Sequence, residues 1–290
     1  MSRGGAQWRR FQLVVSPQDA QPAAALLETA SSALSATETT ADGAAVTVYT
    51  PEKAALRTSS RIRALLARAR RDALFTGSQL SDTVVSEEDW ATSWKQFYRP
   101  LQVAPRLFIA PSWETGFQAP SNARVLWMDP GMAFGTGQHP STQLALKLLL
   151  NNVKAKDTVL DVGCGSGILG LAAAQRGAKV YASDVDPIAV NATRDNFTAN
   201  GLKAVAVRRA RGIPPSFPRA DVVAANISAR VLVNLSAALR AALKKNGALV
   251  ISGFSARSRH QVRKALTRAG LRFRTEVTES GWLAQLYEKI

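Results

Sequence analysis

From Asp157 onward the chain alternates strand-like and helix-like segments, and this alternation constrains the fold more than any other feature. Apolar runs at Thr158–Val162, Lys179–Ser183, Ala204–Val207, Asp221–Ala225 and Ala248–Ser252 are separated by helix-forming stretches, and two further strands follow. The helical stretches run to Arg176, from Pro187 to Ala199, to Leu243 and from Arg257 to Ala269. This spacing predicts an α/β, Rossmann-like, doubly wound sheet of seven strands with helices on both faces. Ligands in such sheets bind at the carboxyl ends of the strands near the topological switch point, so chemistry is expected just after each strand.

The N-terminal part has a different pattern. Phe11, Leu13 and Val15 alternate as in a half-buried strand, and Ser16-Pro17 offers an N-cap with Pro at the first helical position. An Ala/Leu-rich helix to about Ala33, a strand near Ser35–Thr40, a turn at Asp42-Gly43, a strand carrying Val46 and Val48, a helix from Lys53 to Arg71 and a strand at Ser81–Val85 complete the order βαββαβ. That order predicts a small α+β ferredoxin-like domain. Arg57, Arg61, Arg63, Arg68, Arg70 and Arg71 crowd its second helix. They read first as a solvated face and, functionally, as a contact surface for something anionic. Between the two patterns, Trp90, Trp94, Phe97, Tyr98, Phe108 and Trp113 enrich residues 87–114 in aromatics, which can pack a seam or wall a substrate site.

The first strand of the alternating region runs into Asp161-Val162-Gly163-Cys164-Gly165-Ser166-Gly167. Gly163, Gly165 and Gly167 let the backbone approach a ligand closely, and the helix that follows presents N–H groups. Asp161 discriminates between ligands: a pyrophosphate would be repelled by a carboxylate there, whereas the ammonium and sulfonium of S-adenosylmethionine would be attracted. Gly165-Ser166-Gly167-Ile168-Leu169-Gly170 also satisfies the dinucleotide pattern GxGxxG, but it begins two residues late relative to the strand end. Asp184 closes the second strand 21 residues after Gly163, where a carboxylate can accept both hydroxyls of an adenosine ribose. Asp186-Pro187 reads as a helix N-cap. Asn226 follows the fourth strand; its carbonyl oxygen could accept from a target amine, or the residue could cap the next helix. His139, within the Gly-rich run Met128–Thr142, is either a general base or a structural residue of a His-Pro turn.

Composition removes several classes. Cys164 is the only cysteine, and His139 and His260 are the only histidines, so neither an internal disulfide nor a zinc site is expected. No apolar run reaches the ~18–20 residues of a membrane span, and a cytoplasmic location is expected. The 290 residues carry 37 Lys+Arg against 21 Asp+Glu, a net charge of +16. No acid lies between Asp221 and Glu276, while Arg230, Arg240, Lys244, Lys245, Arg257, Arg259, Arg263, Lys264, Arg268, Arg272 and Arg274 do. If this stretch acts, it attracts the chain to an anionic partner such as nucleic acid in a salt-sensitive way.

The run Asp129-Pro130-Gly131-Met132-Ala133-Phe134-Gly135-Thr136-Gly137-Gln138-His139-Pro140-Ser141-Thr142 resembles the signature loop of the ribosomal protein L11 methyltransferase family (PrmA). Glu88-Asp89-Trp90 with Trp94-Lys95, Pro111-Ser112-Trp113, Leu160–Gly167 and Ala225-Asn226-Ile227 are similar to it as well. The resemblance covers nearly the whole chain. It implies a class I S-adenosylmethionine-dependent methyltransferase: residues 1–86 as a substrate-recognition domain that includes the basic helix, and 87–290 as the catalytic domain. The implied reaction is methylation of lysine side chains and the N-terminal amine of L11. Carried over by position, Thr142, Gly163, Asp184 and Asn226 match cofactor-binding positions, and Phe134 matches an aromatic of the loop over the cofactor. With Asp161, Gly165 and Gly167 they form the expected cofactor site, Asn226 being also the catalytic residue. The third strand is followed by Arg208-Arg209-Ala210-Arg211 rather than by an acid. Alternative readings are a related methyltransferase acting on another protein or RNA, and a non-catalytic ribosome-associated binder.

Overall fold

The structure, a computed structural model, describes residues 7–31, 35–41, 43–71, 78–86, 99–128, 135 and 137–290. The chain divides into two compact units, Met1–Tyr98 and Arg99–Ile290. Residues 87–98, between the boundary expected after 86 and this division, lie outside the described residues, and so do Trp90, Trp94, Phe97 and Tyr98.

The first unit is built from β1 (Trp8–Val15), α1 (Ala20–Ser31), β2 (Ser35–Thr40), β3 (Gly43–Pro51), α2 (Glu52–Arg71) and β4 (Gln79–Val85). Its sheet is antiparallel throughout with the order β2-β3-β1-β4. The alternation at Phe11, Leu13 and Val15 does what it predicts: all three are buried, together with Val46, Val48, Leu27, Ile62 and Leu66. α2 buries Ala55, Thr58, Ile62, Leu66 and Ala69 along one stripe and leaves its opposite face in solvent. The start of α1 departs from expectation. Pro17–Asp19 forms a 3₁₀ turn first, and the Ser16 hydroxyl donates to Asp19 Oδ2 (2.7 Å) instead of capping a backbone N–H.

The second unit opens with β5 (Leu101–Ala104), β6 (Leu107–Pro111) and β7 (Arg124–Met128), a three-stranded sheet that the aromatic content of this segment did not disclose. Its strands are four or five residues long, too short for a clear period. Phe108 packs against Phe117 with ring centroids 5.5 Å apart.

The large sheet follows α3 (Pro140–Asn152). It comprises β8 (Thr158–Val162), β9 (Lys179–Asp184), β10 (Ala206–Arg209), β11 (Ala220–Asn226), β12 (Leu243–Ser255), β13 (Leu271–Glu279) and β14 (Trp282–Lys289), in the order β10-β9-β8-β11-β12-β14-β13. The first five strands in this order are parallel, and β14 runs antiparallel between β12 and β13. Ser280 and Gly281 explain the reversal, since both have positive φ (51° and 78°), which a tight hairpin between Glu279 and Trp282 requires. The remaining helices are α4 (Ile168–Gln175), α5 (Pro187–Ala199), α6 (Ala229–Ala241) and α7 (Arg259–Arg268). Leu146, Leu149, Leu171 and Phe197 build the core on one side of the sheet, and Leu232, Leu239, Val262 and Leu266 build the other. β8 therefore buries Val159 through Val162 as a continuous run, as a central strand covered on both faces must. Among the described residues no helix is long and apolar enough to cross a membrane.

Candidate functional site

β8 has β9 on one side and β11 on the other, so the chain switches direction across the sheet at the carboxyl end of β8. The turn leaving β8 is pinned there. Gly163 N and Cys164 N both donate to Ser183 O of β9 (2.8 and 3.1 Å). Gly163, Gly165 and Gly167 have φ of 71°, 55° and 83°, the left-handed region that side chains disfavour. At Gly163 a β-carbon would also overlap the Ile227 side chain, so the turn closes tightly on the residue that follows β11. From behind, α5 holds the turn: Thr193 Oγ1 donates to Gly165 O (3.0 Å) and Asn196 Nδ2 to Ser166 O (2.9 Å). Ser166 Oγ in turn donates to Gly135 O (2.7 Å). Burial pushes the Cys164 thiol well above its ordinary range, so it has no nucleophilic character.

Two carboxylates and one amide supply the polar chemistry. Asp161 is 1% exposed and lies beneath the turn; its Oδ2 accepts from Gly170 N of α4 (2.9 Å), while Oδ1 has no hydrogen-bond partner among the described residues. Burial pushes this carboxyl up to about 7, opposed by the Gly170 N–H and assisted by the charge of Asp184. Asp184 accepts from Gly165 N through Oδ2 (3.0 Å) and from Asp186 N through Oδ1 (2.9 Å), which orients it toward the glycine turn. Asp186 caps α5 by accepting from Ile188 N (2.9 Å).

Asn226, the last residue of β11, is not the cap of α6; that position belongs to Ser228. Its Nδ2 donates to Thr142 Oγ1 (3.1 Å) in the first turn of α3, and its Oδ1 is buried with no hydrogen-bond partner among the described residues. The Thr142 bond fixes the amide so that its carbonyl, an acceptor, is the atom left over. His139 caps α3, its Nδ1 accepting from Ser141 N (3.2 Å), and its ring packs edge-on against Trp282 at 4.5 Å. Burial lowers its pKa to about 4, so the ring is neutral at physiological pH, and the cap and the Trp282 contact fit the structural reading.

Asp161, Gly163, Gly165, Gly167, Asp184, Asn226 and Thr142 thus come from four segments to one edge of the sheet, while Phe134 lies outside the described residues. Ser252 escaped sequence reasoning. Its buried hydroxyl bonds Ser141 O (2.9 Å) and Leu283 O (3.0 Å), locking the start of α3 to the sheet. Gly253 beside it has φ of 88° and is packed against the Ile227 backbone; a Ser-Gly pair ending an apolar strand was the available signal. Arg208 and Arg209, expected to follow the third strand, are the last two residues of β10; both are exposed, and Arg209 Nε donates to Val185 O (3.2 Å).

This edge combines a glycine turn, the Asp184 carboxylate, two buried oxygens without hydrogen-bond partners among the described residues and no cationic side chain among the seven positions. That set fits a cationic, adenosine-bearing molecule such as S-adenosylmethionine and disfavours a pyrophosphate. Fold and site together define a Rossmann-like S-adenosylmethionine-dependent methyltransferase. Residues 7–289 match the family described as Ribosomal protein L11 methyltransferase (PrmA), and the chain belongs to that family. It is 37% identical over 214 residues to the ribosomal protein L11 methyltransferase of Anoxybacillus flavithermus, covering 73% of this chain and 69% of the relative. The Bacillus pumilus enzyme of the same name is 39% identical over 212 residues, 72% and 68% of the two chains. A crystal structure of ribosomal protein L11 methylase from Lactobacillus delbrueckii subsp. bulgaricus superposes with a TM-score of 0.63 at 28% identity, over 67% of this chain and all of the other (100%).

Proposed function

We propose that this methyltransferase modifies ribosomal protein L11 at lysine side-chain amines and at the N-terminal amine. The observation that carries this reading is the buried Asn226 Oδ1, an acceptor without a partner among the described residues, beside the glycine turn. S-Adenosylmethionine, when bound, supplies a methyl on a positively charged sulfur that is already a good leaving group. Gly163, Gly165 and Gly167 provide room and backbone groups for it, Asp184 accepts from its ribose, Thr142 orients Asn226, and Asp161 favours its positive charge from beneath. Phe134 is assigned to the same site by position.

A lysine amine has an ordinary pKa of about 10.4 and must be neutral to attack. A dry site lowers that pKa by penalising the charged form. Asn226 Oδ1 accepts an N–H of the neutral amine and aims its lone pair, so positioning and water exclusion do most of the work. Solvent takes the proton, and no general acid is needed. Residues 1–86 serve as the substrate-recognition domain in this reading, and contact with ribosomal RNA through a basic surface belongs to it.

The test offers purified L11 and ribosomal RNA separately with labelled S-adenosylmethionine, locating methyl groups by mass spectrometry. Label on L11 amines, lost in Asn226→Ala at saturating cofactor with an unchanged melt, is the expected result. Label on RNA, on carbon or oxygen of the protein, or near-normal transfer by the variant overturns the assignment.

A further inference from the structure

The outward face of α2 concentrates positive charge. Lys53, Arg57, Arg61 and Arg71 are exposed along it, and among the described residues none of the four forms an ion pair. Glu52, the first residue of α2, and Asp82 of β4 are engaged by Arg9, which donates to Glu52 through Nε and Nη2 (3.0 and 2.6 Å) and to Asp82 through Nη1 (3.1 Å). Of the helix's own cations, Arg63 reaches Asp82 at 4.0 Å.

Helix stability does not explain the pattern. Cations in the last turn favour the C-terminal end of the helix dipole, but Lys53 and Arg57 stand in the first two turns, where the dipole favours acids. Lys53, Arg57 and Arg61 recur every fourth residue, about 6 Å apart along the axis, and Lys53 to Arg71 spans about 27 Å. Ser60, Ala64 and Ala67, also exposed, keep the surface between them low.

The basic stretch after Asp221 differs. Lys244 pairs with Asp221 (2.7 Å), Arg259 with Glu276 (2.8 Å), and Arg272 and Arg274 with Glu288 (2.9 and 3.3 Å). Arg263 lies over the Phe273 ring at 3.8 Å, and Arg240 Nε donates to Gly270 O (3.4 Å). Much of that charge has a partner within the fold.

We infer that the outward face of α2 docks the phosphate backbone of structured RNA. Guanidinium groups match phosphate oxygens, and a rigid row of them neutralises successive phosphates. The face carries no aromatic side chain on which unpaired bases could stack, which points to a backbone contact. A bilayer is the poorer fit, because the apolar stripe of α2 is already buried in the core and Leu56 (87% exposed) is the one large apolar side chain on the face. The choice of RNA among polyanions rests on the reading of the substrate as a ribosomal protein.

The experiment measures binding of the full chain to a labelled ribosomal RNA hairpin across a salt series. Affinity should fall linearly on logarithmic axes. Lys53→Gln/Arg57→Gln/Arg61→Gln should weaken it at least about tenfold and reduce the salt slope by about three, while Lys264→Gln/Arg268→Gln should lose far less. Arg57→Lys/Arg61→Lys should keep the slope. If the triple variant fails to melt cooperatively, Arg57→Gln and Arg61→Gln alone should each remove about one unit of slope. Unchanged RNA affinity in the triple or single variants, salt-insensitive binding, loss of affinity for purified L11 with RNA binding intact, or capture of phosphatidylserine vesicles in place of RNA overturns the inference. S-Adenosylmethionine binding is titrated on the same samples: its absence in the parent protein counts against the methyltransferase site, and its retention beside lost RNA binding isolates α2.

Discussion

The carboxyl edge of the large sheet and the outward face of α2 both collect polar groups, and they do so in opposite ways. At the edge a few atoms are buried, each held by one named bond, with Asp161 Oδ1 and Asn226 Oδ1 left over. On α2 the polar groups are many, exposed and alike. A buried unpaired acceptor carries a desolvation cost that a fitted partner relieves, so single atoms there govern a small ligand's binding and orientation. An exposed cation gains little from any one partner, so such a surface acts through number and is screened by salt.

The largest expected effect tests the first half of this contrast. Asn226→Ala should lower methyl transfer to L11 by about 100-fold or more at saturating cofactor, with its melting temperature near the parent's. Gly163→Ala comes next: a β-carbon there combines φ of 71° with overlap of Ile227, and chemical denaturation should show a loss of about 2 kcal/mol together with failed cofactor binding in calorimetry. Native stability in that variant would mean that the turn is looser than its hydrogen bonds suggest.

Asp161→Asn should weaken S-adenosylmethionine binding about tenfold, or roughly 1.4 kcal/mol, by removing the buried carboxylate. It should also change the pH response. The folded carboxyl titrates near 7, above its ordinary value of 3.8, so the ligand-free protein holds a proton that the unfolded chain releases. Stability from this group is present below pH 4 and is lost as pH rises toward 7. Melts from pH 4.5 to 8 should slope down more in the parent than in Asp161→Asn; parallel curves would remove the buried-charge account.

His139 gives the reverse sign and a smaller effect. Its folded pKa of about 4 lies below the ordinary 6.5, so acidification favours the unfolded chain and stability is lost as pH falls from 6.5 to 4. Relative to the parent, His139→Asn, which can still cap α3, should gain about 1 kcal/mol of stability on going from pH 8 to pH 6. At the far end, Arg57→Gln alone should leave methylation of L11 at saturating substrate within about twofold of the parent. A loss comparable to that of Asn226→Ala would erase the distinction between the two regions.

Much of the second unit was legible in advance because its signals are local. The bounds of β8 (Thr158–Val162) and α5 (Pro187–Ala199) were predicted to the residue, since an apolar run followed by a glycine turn, and an Asp-Pro start, each read out within a few positions. Where signals were short or shared, the reading blurred: β10 begins at Ala206 instead of 204, and the sheet of β5, β6 and β7 went unseen because its strands are too short for a period. The site was legible residue by residue but not as an arrangement. Nothing in the chain around Asn226 excluded a helix cap; Ser228 holds that place, and Thr142, 84 residues earlier, takes the amide.

By itself, then, the sequence determined the alternation that makes the sheet, the glycine turn after β8, and the residue types present at the strand ends, since these depend on side-chain period and backbone freedom over a few residues. The tertiary structure decided which atoms remain without partners. Asn226 Oδ1 is available because α3 returns to the sheet and its Thr142 claims the other half of the amide, and Lys53, Arg57 and Arg61 on α2 form no ion pair among the described residues while Arg9 on β1 takes Glu52 and Asp82. Hydrogen bonds and ion pairs between distant positions exist only once the chain has closed, and no local pattern records who will have taken whom.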